Sequence, residues 1–267
     1  MLKVLFIGDI NGRIGRRAVA RIVPKLKKKH DLDLVIANAE NAAHGSGITE
    51  RTIKELMKYG IDFFTTGDHA FKRNGKYEEY TNPKLPVLRP ANMPPTAPGN
   101  GYKLLAVGSF NILLINLIGR VYMSHNYDCP FREIDNIFAN FAKQNISAII
   151  VDIHAEATSE KAAIKHYLDG KVSAVLGTHT HIMTADEEIT KKGTAFITDV
   201  GMVGAADSCL GIDKKNIIKG FLTQIKQNHI IPEKGRAIFN SVILKIDPKT
   251  TSASSIKPIK EYININN

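Results

Sequence analysis

Residues 2–41 read LKVLFIGDINGRIGRRAVARIVPKLKKKHDLDLVIANAEN, and this stretch contains the pattern that decides the fold. It begins with an apolar run that stops at Asp9 and ends with a second apolar run that stops at Glu40. Between the two runs, apolar side chains recur at helical spacing in a stripe that Pro24 interrupts. The stretch therefore predicts two buried strands joined by a helix.

Short apolar runs closed by a turn residue or a polar residue recur along the chain. They are LKVLFIGD, LDLVIANAEN, IDFFTTGDH, SAIIVDIHAE, VSAVLGTHTH and AFITDVG, beginning at residues 2, 32, 61, 147, 172 and 195. Runs of this kind are typical of strands buried on both faces. A second helix is expected at 49–59, with Thr49 as its N-cap. The alternation predicts an α/β fold, and because no break in composition is visible, we expect one domain over residues 1–267.

Other segments depart from this pattern. Residues 83–101 hold six of the eleven prolines, so we expect an ordered surface loop there. The apolar runs 103–107 and 110–118 are separated by Gly-Ser and predict a hairpin. Residues 213–228 look helical, 237–246 predict a closing strand, and the lysine-containing residues beyond them are expected to form a tail.

The composition bounds the function. The 267 residues are 43% apolar and 23% charged, which excludes disordered and fibrous classes. Two cysteines make no disulfide framework. Without a signal-peptide pattern or an apolar stretch of membrane-spanning length, we expect a soluble, cytoplasmic protein with no membrane partner. The formal net charge of +10 is compatible with a nucleic acid or an anionic surface as partner. Much of it lies in lysine clusters remote in sequence from the motifs below, so it does not by itself argue for a dedicated nucleic-acid-binding module.

Polar side chains stand at the ends of the predicted strands, where open α/β sheets bind ligands. Five strand ends supply them: Asp9, Glu40 with Asn41, Asp68 with His69, His154, and His179 with His181. In an extended segment, residues i and i+2 point the same way, so His179 and His181 can reach one place. A lone histidine is more often structural, but burying so many polar groups without partners would cost on the order of several kcal/mol each. A metal centre supplies those partners.

The types of donor atom limit which metal ions would suit the site. Imidazole with carboxylate and amide oxygens, without thiolate, suits iron, manganese, zinc or nickel and disfavours iron–sulfur or soft copper sites. About seven candidate ligands exceed one tetrahedral zinc and fit two ions that share a carboxylate. Such pairs are typical of phosphatases and nucleases.

These residues carry a family resemblance that runs nearly end to end. The chain resembles the YmdB-like branch of the calcineurin-like metallophosphoesterases in FIGDINGRIGRRAV, NAENAAHGSGIT, TTGDHAF, LRPANMPPTAPGNGY, GRVYM, DIHAEATSEKAAIKHYLDGKVSAVLGTHTHIMTADE and GTAFITDVGMVGAADSCLG. The resemblance implies a metallophosphoesterase sandwich of two mixed β-sheets flanked by helices. It also implies a phosphodiesterase that acts on 2′,3′-cyclic nucleotides with two metal ions, iron first and manganese or zinc as alternatives.

The resemblance assigns a role to each motif residue. Asp9 and His181, with Asn41 beside them, look like ligands of the first metal, and Glu40 looks like the carboxylate that bridges both ions. Ligands of the second metal are similarly implied at three positions: Asp68, His154 and His179. His69 matches the general acid that protonates the leaving ribose oxygen, while a hydroxide bridging the two metals attacks phosphorus. Substrate-binding residues are not assigned.

Two positions depart from the related pattern. Asn11 stands where the wider superfamily has a histidine ligand, so we expect it to contact a ligand at most. Asp68 stands where the family usually has asparagine. Three carboxylates and a hydroxide balance two divalent ions at −4 against +4, whereas an amide at position 68 would leave +1. We therefore expect Asp68 to hold metal more tightly and to give a slower enzyme than asparagine would.

Alternative functions stay open at this level. The positive charge supports an RNA-processing nuclease, and a metal-stabilised regulatory or scaffold protein with a protein or RNA partner is a third hypothesis. Family members suggest a homo-oligomer. Around the motifs, His44 is expected to be exposed, Glu156 to contact a ligand, and Arg13, Arg16 and Arg17 to lie on a solvated helix face or to meet substrate phosphate.

Overall fold

Two mixed β-sheets and six helices make up the fold in a computed structural model that describes residues 1–73 and 77–266. The strands are β1 (Leu2–Ile7), β2 (Asp9–Ile10), β3 (Leu34–Asn38), β4 (Phe63–Thr65), β5 (Tyr102–Val107), β6 (Phe110–Ile118), β7 (Ala148–His154), β8 (Ala174–Thr178), β9 (Glu188–Ile189), β10 (Ala195–Ile197), β11 (Met202–Ala205), β12 (Gly235–Ile246) and β13 (Ala253–Ile265). The helices are α1 (Gly12–His30), α2 (Glu50–Lys58), α3 (Glu78–Thr81), α4 (Pro130–Phe141), α5 (Thr158–Leu168) and α6 (Lys214–Thr223).

Parallel pairing dominates the centre of each sheet. In the first sheet β1, β3 and β4 run parallel, and β12 pairs antiparallel with β1, β11 and β13. In the second sheet β6, β7, β8 and β10 run parallel, with β5 and β9 antiparallel at the two edges. Because parallel strands end at the same edge of a sheet, each sheet collects the residues that follow its strands at one place.

The two sheets stack face to face between layers of helices. Alternate residues of β1 point to opposite sides: Leu2, Val4 and Phe6 enter the core shared with Leu114 and Ile150 of the second sheet. The opposite face of the first sheet packs on α1 and α2, and that of the second sheet packs on α4 and α5. This layered arrangement confirms the predicted α/β sandwich.

Local signals account for several element boundaries. The α2 helix begins at a capping box in which Thr49 and Thr52 bond each other's backbone N–H groups, as predicted for the Thr49 N-cap. The predicted hairpin is confirmed as β5 and β6. Pro24, which interrupts the apolar stripe in the sequence, lies inside α1 without ending it. Pro24 is exposed there, so the missing N–H costs the helix a bond on its solvent side.

The proline-rich segment is irregular but not a surface loop throughout. Leu85, Val87 and Leu88 are buried. The segment satisfies its backbone groups against β4, since Leu88 N donates to Phe64 O at 2.9 Å and Phe64 N donates to Pro86 O at 2.8 Å. These bonds let an irregular chain lie against the sheet.

The residues after β12 contradict the predicted tail. They form β13, which pairs with β12 along its whole length. Pro258 and interspersed lysines obscure the alternation in the sequence, and the edge position tolerates them because only one side of β13 is paired. The predicted helix at 213–228 is shorter than expected and ends at Thr223. Among the described residues, no helix combines the length and the apolar character needed to traverse a bilayer.

Candidate metal centre

The side chains predicted as ligands converge where the parallel strands of both sheets end. Asp9 follows β1 directly after Gly8, and Glu40 follows β3. Asp68 lies beyond β4, His154 is the last residue of β7, and His179 follows β8. The stacking of the two sheets brings these ends together although they are far apart in sequence.

Four of these residues form a compact donor cluster. One nitrogen or oxygen atom from each of Glu40, Asp68, His154 and His179 lies within 4.8 Å of the others. His154 Nε2 lies 3.2 Å from Glu40 Oε2 and 3.3 Å from Asp68 Oδ1, and His179 Nδ1 lies 2.9 Å from His154 Nε2. Two imidazoles and two carboxylates at this spacing suit one transition-metal ion.

Asp9, Asn41 and His181 lie beside that cluster. His181 Nε2 is 3.9 Å from Asp9 Oδ1 and 3.2 Å from Asn41 Nδ2. Asn41 Nδ2 also donates to Glu40 Oε1 at 3.0 Å, which joins this group to the cluster through Glu40. The structure thus places every predicted ligand around Glu40.

An unpartnered carboxylate oxygen tests whether metal suits the site. Asp9 Oδ1 is buried, and among the residues that the structure describes it has no hydrogen-bond partner. Burial raises the pKa of Asp9 to about 7. The other oxygen, Oδ2, accepts from His179 N at 3.2 Å. A buried oxygen without a donor is costly, and a cation is the partner that would relieve that cost at Oδ1. The donor set therefore fits a metal centre.

The charges in the cluster perturb one another. Burial opposes ionisation of Glu40, but the His154 imidazole lowers the pKa of this carboxyl group below its usual value. Burial likewise disfavours charge on His154, yet Glu40, Asp68 and Asp9 raise its pKa well above the usual value. Burial and the neighbouring His154 lower the pKa of His179 to about 4.

His69 lies at the rim of the cluster, and its side chain is 32% exposed. Its Nδ1 lies 2.7 Å from Asn41 Oδ1, and its backbone N–H donates to Glu40 Oε2 at 3.2 Å. The imidazole faces a cavity of about 510 Å³ that Glu40, Asn41, His179 and His181 also line. His69 is therefore positioned beside the donors and open to a ligand in the cavity.

A close approach explains the glycine before Asp68. A Cβ at Gly67 would lie 2.1 Å from His154 Cδ2 and 2.4 Å from Glu40 Oε2. Any larger residue would displace the donors, so the Gly-Asp-His motif requires its glycine at this position.

Sequence reasoning missed a buried ion pair under the histidine loop. Asp199 accepts from Lys161 Nζ at 2.9 Å, from Thr180 N at 3.0 Å and from Thr180 Oγ1 at 2.7 Å. His179 and His181 flank Thr180 with φ of 99° and 65°, a region that non-glycine residues rarely adopt. The Asp199 contacts hold the loop in this strained form. A carboxylate directly after the apolar run AFIT was the available signal.

A second missed group supports His154 from below. Thr178 Oγ1 lies 2.9 Å from His154 Nδ1 and donates to Asp152 Oδ1 at 2.8 Å. Thr65 Oγ1 donates to the other oxygen of Asp152, whose pKa burial raises to about 6. These contacts orient the His154 ring so that Nε2 faces the cluster. The signal was a charged residue inside the run AIIVDIH.

Three further residues that the sequence singles out are Glu156, Asn11 and His44. His179 Nε2 lies 3.1 Å from Glu156 Oε2, so Glu156 contacts a predicted ligand as expected. Asn11 is buried, lines the cavity and donates to the Leu210 carbonyl at 3.4 Å. His44 is exposed, as expected.

Comparison with known proteins identifies the family. The model of the YmdB-like protein family matches residues 5–259. A 2′,3′-cyclic-nucleotide 2′-phosphodiesterase of Bacillus subtilis is 42% identical over 258 residues, which cover 97% of this chain and 96% of the relative. The chain belongs to the YmdB-like family.

Other similar proteins agree with the YmdB-like assignment. A putative phosphatase/phosphodiesterase of Mycoplasma genitalium is 37% identical over 97% of this chain and 92% of its own length. The crystal structure of a hypothetical protein from Thermus thermophilus has a TM-score of 0.90 and 38% identity over 98% of this chain and 99% of that one. A putative 5′-nucleotidase from Staphylococcus aureus, at 14% identity and a TM-score of 0.58 over 99% of this chain and 55% of that one, shares the fold alone.

The predicted family and fold class are therefore confirmed. The roles of individual residues in this YmdB-like chain stay predictions, including the assignment of Asp68 to the second metal and of His69 to proton transfer.

Proposed function

We propose that this chain hydrolyses 2′,3′-cyclic nucleotides to nucleoside monophosphates, with His69 as general acid. Its family and its named relatives make it an enzyme, a hydrolase that acts on phosphoric diester bonds. The finer statement, which names the substrate and the roles of residues, is supported by the relative from Bacillus subtilis and by the geometry of the site.

One observation carries the proposal: a donor cluster lies beside an imidazole that is free to meet a ligand. His69 contacts Glu40 and Asn41 at the edge of the cluster, and its ring is exposed to the cavity. A scaffold protein has no use for an accessible imidazole next to a metal centre, whereas phosphodiester hydrolysis requires a proton for the departing oxygen.

The residues present would hold two metal ions. Glu40, Asp68, His154 and His179 would hold one, and Asp9 and His181 would hold the other, with Glu40 shared between the two ions and Asn41 beside them. Bound ions of this kind supply Lewis acidity toward the phosphoryl oxygens and make water a stronger nucleophile near neutral pH. We propose iron as the native metal, with manganese and zinc as alternatives.

Asn41 and His69 have separate roles: Asn41 orients the His69 ring, and His69 protonates the leaving oxygen. Asn41 donates through Nδ2 to Glu40, so its Oδ1 faces His69 and accepts the Nδ1 proton. This contact turns His69 Nε2 away from the backbone, toward the cavity, with Asp68 Oδ2 at 3.8 Å. A proton held at Nε2 passes to the ribose oxygen that leaves phosphorus. Because that oxygen is part of the cyclic phosphate, the phosphate stays on the ribose.

A substrate panel tests the proposal. Protein reconstituted separately with iron, manganese and zinc is assayed with 2′,3′-cyclic AMP, bis-p-nitrophenyl phosphate, 3′-AMP and an internal RNA phosphodiester. We expect 2′,3′-cyclic AMP to have the highest kcat/KM and chelator to abolish its hydrolysis. Preferential cleavage of internal RNA would favour the nuclease alternative, and metal-loaded protein without any hydrolysis would favour the scaffold alternative.

Two organisational expectations accompany this proposal. We propose that residues 1–267 unfold as one cooperative domain, which coincident denaturation curves from different probes would test. We also propose a homo-oligomer, which light scattering on the purified protein would test.

A further inference from the structure

A second cavity, of about 690 Å³, adjoins the cavity at the metal centre, and His44 lines both. Its walls carry four arginines, which define what we term the arginine cleft: Arg13, Arg16 and Arg17 of α1 and Arg51 in the first turn of α2. Residues three and four apart on a helix share a face, so the three α1 arginines point the same way. Two carboxylates, Glu55 and Glu233, also line the cleft, which leaves its charged groups at +2.

The four guanidinium groups differ in the partners that they already contact within the protein. Arg16 is held by Glu55 at 3.0 Å and by the Ala42 carbonyl, so it stiffens the loop that follows Asn41. Arg13 pairs with Glu233 at 3.1 Å, and both side chains are more than half exposed, a kind of pair that contributes little.

Arg17 and Arg51 differ from the other two arginines because they have no carboxylate partner among the described residues. Over the described residues, the one hydrogen bond that Arg17 donates goes to a backbone carbonyl, that of Asn266, at 3.3 Å. Guanidinium groups that line a cavity without carboxylate partners are suited to bind phosphate, which they grip through paired N–H donors.

Tyr59 adds an aromatic side chain to the same cleft. Cationic grooves that also present aromatic rings are typical of sites for single-stranded nucleic acid, because the arginines track the backbone while a base stacks on the ring. A mononucleotide with its only phosphate at the metal centre would leave the arginine cleft without a ligand.

We propose that the arginine cleft binds the phosphodiester backbone of an oligoribonucleotide whose 3′-terminal 2′,3′-cyclic phosphate lies at the metal centre. This inference rests on the proposed function, since the terminal group is the one that the metal centre would hydrolyse. The chemistry of RNA fits both sites. A 2′,3′-cyclic phosphate forms only on ribose, and the nucleotides on its 5′ side carry the further phosphates that the cleft requires. RNA ends are thus substrates alongside free cyclic nucleotides.

The test compares two substrates that share one reacting group. Metal-loaded protein is assayed with 2′,3′-cyclic AMP and with a triadenylate that ends in a 2′,3′-cyclic phosphate. In the wild type we expect kcat/KM for the triadenylate to be at least about tenfold higher at low salt and to fall as salt rises. The double variant Arg17→Gln/Arg51→Gln should lose this preference while its kcat/KM for 2′,3′-cyclic AMP stays within about twofold of the wild-type value.

A charge-matched control variant is Lys191→Gln/Lys192→Gln, which removes two exposed positive charges outside the cleft. It should keep the triadenylate preference. Equal kcat/KM for both substrates in the wild type, or an unchanged preference in the arginine variant, would overturn the proposal.

A binding measurement separates this inference from the proposed function. Fluorescence anisotropy with a 5′-labelled triadenylate 3′-phosphate requires no turnover. Binding that depends on Arg17 and Arg51 in a protein that does not hydrolyse 2′,3′-cyclic AMP would support the cleft and contradict the proposed function. Hydrolysis of 2′,3′-cyclic AMP without arginine-dependent binding would support the proposed function and contradict the arginine cleft.

Discussion

Lys161 Nζ lies 2.9 Å from Asp199 Oδ2, and both side chains are completely buried. Asp199 also accepts from the backbone and the hydroxyl group of Thr180, between the two histidines of the loop. A charged pair in the core is thus tied to the conformation of the loop that carries the predicted ligands His179 and His181. Removing one partner should affect both stability and metal binding.

Lys161→Met should lower the free energy of unfolding by about 3–5 kcal/mol, because it leaves the Asp199 carboxylate buried without its cation. Denaturant titration measures this loss, and metal titration should show weaker binding. Lys54→Met is the control: Lys54 pairs with Glu50 on the surface of α2 and its side chain is 59% exposed, so its loss should cost less than about 1 kcal/mol. Equal losses in the two variants would contradict the role assigned to the buried pair.

Asp68→Asn should bind divalent metal about tenfold more weakly and turn over faster, because it removes one negative charge from the donor cluster. Metal release into a chelator and steady-state kinetics with 2′,3′-cyclic AMP measure the two effects. Asp31→Asn, at an exposed carboxylate, is the control. Tighter metal retention or slower turnover in Asp68→Asn would show the charge argument to be wrong.

His69→Ala should lower kcat for 2′,3′-cyclic AMP by about 10²–10⁴-fold. The same variant should lose far less activity toward bis-p-nitrophenyl phosphate, because p-nitrophenolate leaves without needing a proton. Metal content, measured in parallel, should not change. His166→Ala, at an exposed histidine of α5, should behave as wild type. Equal losses toward both substrates would remove His69 from the role of general acid.

The stability of metal-free protein should depend on pH through Asp9. Burial raises the pKa of Asp9 from 3.8 in the unfolded chain to about 7 in the folded one. Between these values the folded state holds the proton more tightly, so the contribution of Asp9 to stability falls as pH rises from about 4 to 7. Asp9→Asn should therefore gain stability relative to wild type over this window. Denaturant titrations in chelator at pH 4.5 and 7.5 measure the difference, and a constant difference would refute it.

Gly67→Ala should abolish metal binding while leaving the fold intact, since the added Cβ would meet His154 and Glu40 at less than 2.5 Å. Metal titration and circular dichroism report the two properties. Gly220→Ala offers a contrast, because its added Cβ has no neighbour closer than 3.6 Å and helix propensity favours alanine. Wild-type metal affinity in Gly67→Ala would contradict the observed packing.

The predicted ligands could be read from the sequence because each directly follows a buried strand. Parallel strands end at one edge of their sheet, so Asp9 and Glu40 could be placed at one edge and His154 at the corresponding edge of its own sheet. That the two edges meet depends on how the sheets stack. The alternation of strands and helices predicted the α/β class, whereas the sandwich of two sheets was implied by the family resemblance.

The arginine cleft could not be predicted as one site. Arg17 and Arg51 lie on different helices, and only the packing of α1 and α2 on one sheet face brings them to a common cavity. Lys161 was missed for a related reason, since nothing in the helix pattern of α5 shows that its partner lies 38 residues away. The strand β13 was missed because edge strands need no strict alternation.

The donor cluster takes Glu40 and Asp68 from the first sheet and His154 and His179 from the second. An ion held by all four would cross-link the two sheets. It would join Glu40 and Asp68, in the amino-terminal part of the chain, to a segment that begins more than 80 residues further on. Neither part alone could offer a complete coordination shell. Metal uptake would therefore report that both layers have assembled in register, and the free energy of binding would count directly toward keeping them together.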